Sequence, residues 1–187
     1  MPEDYNESLL PKIIGAIREY EPLCSIQVFS QPSVVLREWL DEGKLDAAIV
    51  TRSPNSEEGY WLYSDQGVWI AAENFDLSVD VLPLVLFQAD CKYHAAAIDS
   101  LTKQGRRHQL LACCDTASAQ RGLVKSGSGV GVMGRVSIGR DVHELEGMPP
   151  LPSVDIALLT GGKSHPMMTA SLVDRIQASV GKLSSQL

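Results

Sequence analysis

The sequence predicts an α/β chain built from two lobes, the second inserted into the first. Three observations carry this. The first fifty residues read helix–strand–helix–strand. After a polar break at "DLSVD" (76–80) the same alternation starts again. A late strand and helix then follow "EGMPPLPS" (146–153), and they are expected to rejoin the first lobe. The expected division is 1–76 with 150–187 as lobe I, and 77–149 as lobe II. Two short crossings of this kind leave a cleft, the usual place for a small ligand.

Each element has its own signal. Leu9, Leu10, Ile13, Ile14, Ile17 and Tyr20 recur at three- and four-residue steps, which predicts an amphipathic helix ended by Pro22, with Pro11 in its first turn. "CSIQVFSQ" (24–31) alternates apolar and polar residues as a half-buried strand does. Val35, Leu36, Trp39 and Leu40 mark a second helix, with Ser33 as its expected N-cap and Gly43 as its stop. "LDAAIVT" (45–51) is a continuous apolar run, the pattern of a buried parallel strand.

"YWLYSDQGVWIAAE" (60–73) reads as one or two strands and "VLPLVLF" (81–87) as another. A helix over 92–104 has Tyr93, Ala96, Ala97 and Leu101 on its apolar face. "HQLLACCD" (108–115) is a strand, 117–126 a helix and "GVGVMGR" (129–135) a strand. "VDIALLT" (154–160) and a helix at 166–183, with Leu172, Ile176, Val180 and Leu183 on one face, complete the chain.

Composition narrows the function classes. The 187 residues carry 44% apolar and 21% charged side chains and a net charge of −7. A chain of this size buries roughly 70% of its unfolded surface and needs no metal or disulfide staple. The acidic balance speaks against this chain itself holding nucleic acid. Cys24, Cys91, Cys113 and Cys114 form no C-x-x-C pair, so free thiols in a cytoplasmic protein are expected and no metal site is. "MPEDYNESLL" is too polar for a secretory signal.

Gly129-Val-Gly131-Val-Met-Gly134 matches the dinucleotide pattern G-x-G-x-x-G in letters. That loop needs a strand before the first glycine and a helix after the third. Here a helix comes before, with Gly127 as its cap, and a strand follows. A turn into an inner strand is therefore expected, and no cofactor. No G-x-S-x-G, H-E-x-x-H or P-loop occurs, and His94, His108, His143 and His165 are scattered, so an enzyme is not expected.

In order along the chain, "PEDYNESLLPKIIGAIREYEP", "LREWLDEGKLDAAIVT", "LPLVLF" with the helix from Cys91, "LVKSGSGVGVMGR" and "EGMPPLPSVDIALL" resemble the effector-binding domain of LysR-type transcriptional regulators. The resemblance spans residues 2–160. It implies the fold of type 2 periplasmic binding proteins, two Rossmann-like lobes joined by two crossovers around an effector site. It also implies a homodimer, and DNA binding by an N-terminal winged helix-turn-helix that these residues lack. Met1 falls where the family's first strand of this domain ends, so the chain resembles a fragment or one that has lost that strand. Gly134-Arg135 stands where the family usually has proline, which is expected to loosen the local backbone.

The resemblance places an effector pocket at Gln31 and Ser33, where helix amides suit small anions and polar groups. Thr51 and Arg52 end the buried strand on the side where α/β folds collect ligands. In lobe II, Gln88 to Cys91 and Thr116 with Ser118 lead from strands into helices. Each residue also has a structural reading: Ser33, Thr116 and Ser118 as helix caps, Arg52 as a surface charge, Phe87 as core. Cys91 resembles the reactive cysteine of peroxide-sensing members, but 92–112 holds no partner, so Cys113 or Cys114 would have to serve. Besides this redox reading, a free-standing small-solute-binding protein of the same fold is the alternative to a small-molecule-sensing regulator.

Overall fold

The computed structural model describes residues 1–89, 91–162 and 165–181. Leu183, expected on the last helical face, lies outside them. The chain divides into two compact units, Met1–Asp65 with Val154–Leu187, and Gln66–Ser153. The first boundary thus falls eleven residues before the expected 76/77. The reason is strand β2 (Tyr60–Ala71), a single strand whose later residues pair with strands of the second unit.

In unit 1, helix α1 (Leu10–Tyr20) carries Pro11 in its first turn, where its missing N–H leaves no bond unmade. It packs on α5 (Ala170–Gly181), which buries Leu172, Ile176 and Val180. Helix α2 (Ser33–Asp41) lies on strand β1 (Ala47–Arg52), where Leu36 and Leu40 meet Ala48 and Val50. Gly43, at φ 74, reverses the chain after α2 and sends the Lys44 amide back to the Trp39 carbonyl. β1 pairs with β7 (Ser153–Thr160), Ala47 opposite Thr160.

Two expectations for this unit are corrected. β1 is buried as predicted, but its strand neighbour among the described residues runs antiparallel, not parallel. Residues 24–31 are assigned to no strand. They alternate in sequence, yet no neighbouring strand supplies a ladder, and Val28 and Phe29 stay 43% and 36% exposed.

In unit 2 the strand order is β2-β5-β3-β4, with β6 (His143–Glu144) on β2. β3 (Leu82–Phe87) runs parallel to both β4 (His108–Cys114) and β5 (Val130–Gly134). Helix α3 (Lys92–Lys103) buries Tyr93, Ala97 and Leu101, and α4 (Ala117–Lys125) buries Ala117, Gln120 and Val124. Cys114 faces the core and Cys113 solvent, as adjacent strand residues must.

The glycine-rich stretch is a turn followed by a strand. Gly127, at φ 76, caps α4 by donating to the Val124 carbonyl. A Cβ on Gly129 would stand 2.6 Å from the Pro83 carbonyl oxygen, so β5 can lie this close to β3 only without a side chain. Gly134 itself holds a conformation that proline could also take. That residue sits at φ −66 and ψ 140, within proline's own range, and Arg135 beside it forks onto Glu144 at 2.9 and 2.6 Å.

Candidate functional site

Ser33 opens α2, but it is not the cap. Pro32 holds the N-cap position at φ −56 and ψ 149, with no side-chain acceptor to offer the first amides. This frees the Ser33 hydroxyl to reach across to the end of β1. It accepts the Thr51 amide at 3.0 Å and lies 3.1 Å from the Thr51 hydroxyl. The start of one helix and the end of one strand are thereby locked into a single corner. Both residues remain partly accessible there, together with Gln31.

The corner is braced from behind. Arg37, one turn along α2, donates to the Thr51 carbonyl at 3.0 Å and to the Ser33 carbonyl at 3.3 Å. Its other donors fork onto Glu58, at 2.7 Å to each carboxylate oxygen. This charge-assisted fork holds the Glu58 carboxyl below its usual range. The brace therefore operates above the ordinary carboxylate pKa and weakens as pH falls through the lowered one.

Arg52 points elsewhere. It is 8% exposed, pairs with Asp155 at 3.7 Å and donates to the Glu58 and Gly59 carbonyls. Ser64 donates to the same Asp155 at 2.6 Å. These partners make Arg52 the fastener of the 53–59 loop that presents Glu58. The surface-charge reading of Arg52 fails on its burial.

In unit 2 the candidate residues gather at one end of the parallel strands, because Phe87 and Cys114 lie in register. Gln88 and Cys91 form the turn into α3, where the Cys91 amide donates to the Gln88 carbonyl at 3.0 Å. Cys91 is the N-cap of α3 with no side-chain cap bond. Thr116 caps α4, its hydroxyl accepting the Ala119 amide at 3.3 Å, and Ser118 is exposed in the first turn. Two helix starts thus stand side by side, each presenting backbone N–H groups suited to an anion.

None of Cys24, Cys91, Cys113 and Cys114 is in a disulfide. The Cys113 thiol donates to the Phe87 carbonyl at 3.4 Å, and burial pushes the Cys114 thiol upward, with Cys113 and Asp115 adding to the shift. His94 is buried with Nδ1 against the Phe87 carbonyl. Among the described residues no group of three or more His, Cys, Asp or Glu side chains could hold a metal ion, and no helix is long and apolar enough to cross a membrane.

Sequence reasoning missed Arg37, Glu58 and Gln120. Gln120 donates to the Val85 and Val132 carbonyls at 2.9 and 3.0 Å, joining α4 to β3 and β5. A polar residue in the apolar row Ala117, Gln120, Val124 was its available signal. Arg37 sits four residues after Ser33, but nothing local ties either to Glu58.

A family model of the LysR substrate binding domain matches residues 1–178. The HTH-type transcriptional regulator DgdR of Burkholderia cepacia is 28% identical over 181 residues, covering 95% of this chain and 62% of that protein. The chain spans about three fifths of the length of the curated relatives it matches. Among solved structures, reduced OxyR superposes with a TM-score of 0.70 at 21% identity, over 95% of this chain and 91% of that one. The effector binding domain of QuiR in complex with shikimate gives 0.68 at 15% identity, over 97% and 93%. These likenesses place the fold among type 2 periplasmic-binding-protein-like domains. The chain belongs to the LysR substrate binding domain family.

Proposed function

We propose that this domain senses a small anionic or polar effector for a cytoplasmic LysR-type regulator and carries part of its homodimer contact. DNA binding then belongs to a winged helix-turn-helix elsewhere in the longer protein. The carrying observation is the Ser33–Thr51 corner, where a helix start and a strand end are fastened to each other and left accessible. In this reading Gln31, Ser33 and Thr51 serve the effector from unit 1. Gln88, Cys91, Thr116 and Ser118 are the candidate effector residues of unit 2 taken by itself. Arg52 holds the loop behind the corner. The effector acts by binding one arrangement of the protein better than another, since only a difference in affinity shifts such a balance.

Thermal-shift screening of small hydroxylated and dicarboxylic acids tests this, beginning with the shikimate named with QuiR. A ligand present at a hundred times its Kd adds about 2.7 kcal/mol. In a domain of this size that raises Tm by roughly 5–10 °C. Ser33→Ala is expected to lower the ligand-free Tm by only a few degrees, through one lost hydrogen bond of about 1 kcal/mol, and to abolish most of the ligand's shift. A Ser33→Ala variant that keeps the whole shift removes Ser33 from the site.

A further inference from the structure

The far end of the unit 2 sheet carries a pocket of its own. It holds about 750 Å³ and is lined wholly by residues of unit 2. The unit 2 candidate residues gather where the parallel strands finish, at Phe87 and Cys114. This pocket lies where they begin, lined by Val79 ahead of β3 and Gly127 ahead of β5. The six residues of β3, roughly 17 Å of extended chain, separate the two ends.

Three walls are fixed before any ligand arrives. Arg106 donates to the Leu77 and Val79 carbonyls at 2.8 and 2.6 Å, and the Asp76 carboxylate accepts the Ser78 amide at 2.8 Å. Together these hold the turn after β2. At the end of α4 the Gly127 amide returns to the Val124 carbonyl at 2.9 Å and the Ser128 amide to the Leu123 carbonyl at 3.1 Å. The third wall is β6, where His143 pairs with Ala71. Half-buried Ala72, Phe75 and Val79 supply an apolar lining.

The charges decide what such a pocket suits. Lys125 stands 3.6 Å from Asp141, so these two offset each other. Ser78, through its side chain and its amide, engages Asp76 and holds that carboxyl below its usual range. What remains is Glu73, Arg140 and the His143 ring, whose side chains make no hydrogen bond or ion pair among the described residues. Two cations, Lys125 and Arg140, against three carboxylates, Glu73, Asp76 and Asp141, leave a formal charge of −1 with His143 neutral. α4 also ends here and turns the negative end of its dipole to the pocket. Both features disfavour a bare anion such as phosphate. A ligand with one carboxylate and one ammonium finds an uncommitted partner for each.

We propose that this pocket binds a free amino acid with an apolar side chain. Its carboxylate sits on Arg140 and His143, its ammonium on Glu73, and its side chain against Phe75 and Val79. The inference is independent of the effector reading, since the pocket shares no residue with the Ser33–Thr51 corner or with the strand ends at Phe87 and Cys114.

Amide NMR of the chain with leucine, methionine and phenylalanine in turn, each to about 10 mM, tests it into the millimolar range of Kd. At least one is expected to give saturable shifts at Glu73–Asp76, Gly127 and Arg140–His143, with the Ser33 and Thr51 amides unmoved. Its N-acetyl and carboxamide derivatives, each lacking one charge, should bind about tenfold more weakly or worse. Arg140→Gln and Glu73→Gln should each cost the same. Both side chains are exposed, so neither variant should move Tm by more than about 2 °C. No saturable binding of any of the three amino acids would overturn the proposal. So would undiminished affinity of either derivative or in either variant. Saturable shifts at the Ser33–Thr51 corner alone would assign the amino acid to the effector site and overturn it likewise.

Discussion

Arg52→Ala is expected to lower the unfolding free energy by about 3–5 kcal/mol, the range for breaking a buried ion pair from one side. In a domain of this size the midpoint should fall by roughly 10–15 °C. The cause is the Asp155 carboxylate, 5% exposed, which would keep Ser64 as a donor but lose its counter-charge. The Glu58 and Gly59 carbonyls would lose theirs at the same time, loosening the loop that presents Glu58 to Arg37. The double variant Arg52→Met with Asp155→Leu removes both charges and should recover most of the loss. Thermal unfolding of the two variants beside the wild type checks this. A single variant as stable as the wild type would show that the pair does not hold the loop.

Gly59→Ala is expected to be nearly as damaging, for a different reason. Gly59 sits at φ +65, which costs a residue with a Cβ about 1–2 kcal/mol. Its added Cβ would stand 2.5 Å from the Leu158 carbonyl oxygen and against the Leu159 side chain. Backbone of a central strand cannot give way, and overpacking of this kind adds about 1–3 kcal/mol. The variant should therefore lose about 2–5 kcal/mol in urea unfolding. Gly105→Ala is a useful companion. It shares the positive φ of 65° but has nothing within 4 Å of its Cβ, so it should show the backbone cost alone. Equal losses for both would mean that the close approach of Gly59 to β7 contributes nothing.

The two variants bear on how the candidate corner is built, and on what could be read before the fold was known. Periodicity placed α1, α2 and α3 within a residue or two of their observed limits. Gly43 and Gly127 announced helix ends because each is needed at positive φ. Residues 24–31 misled because alternation records which side of a strand would be buried, not whether a neighbouring strand is there to pair with it. β1 misled in the same way. Its apolar run signals burial on both faces, and the direction of its partner is a matter of topology.

The site was legible in part. Ser33, Thr51 and Thr116 stand where helix starts and strand ends predicted, although Pro32 took the cap assigned to Ser33. Arg37 and Glu58 were not legible. Their contact joins residues 21 positions apart through a loop held by Arg52 and Gly59. Leu110 and Leu111 look like core in the sequence, yet they are 48% and 50% exposed on β4, which ends the unit 2 strand order.

The central claim, that a small polar or anionic effector is held at the Ser33–Thr51 corner, is tested most directly by amide NMR during titration with whichever acid gives the largest thermal shift. The account predicts saturable shifts concentrated at Gln31, Ser33–Val35 and Thr51, and their loss from the corner in Ser33→Ala. Saturable shifts confined to other surfaces, with the Ser33 and Thr51 amides unmoved at full occupancy, would contradict it.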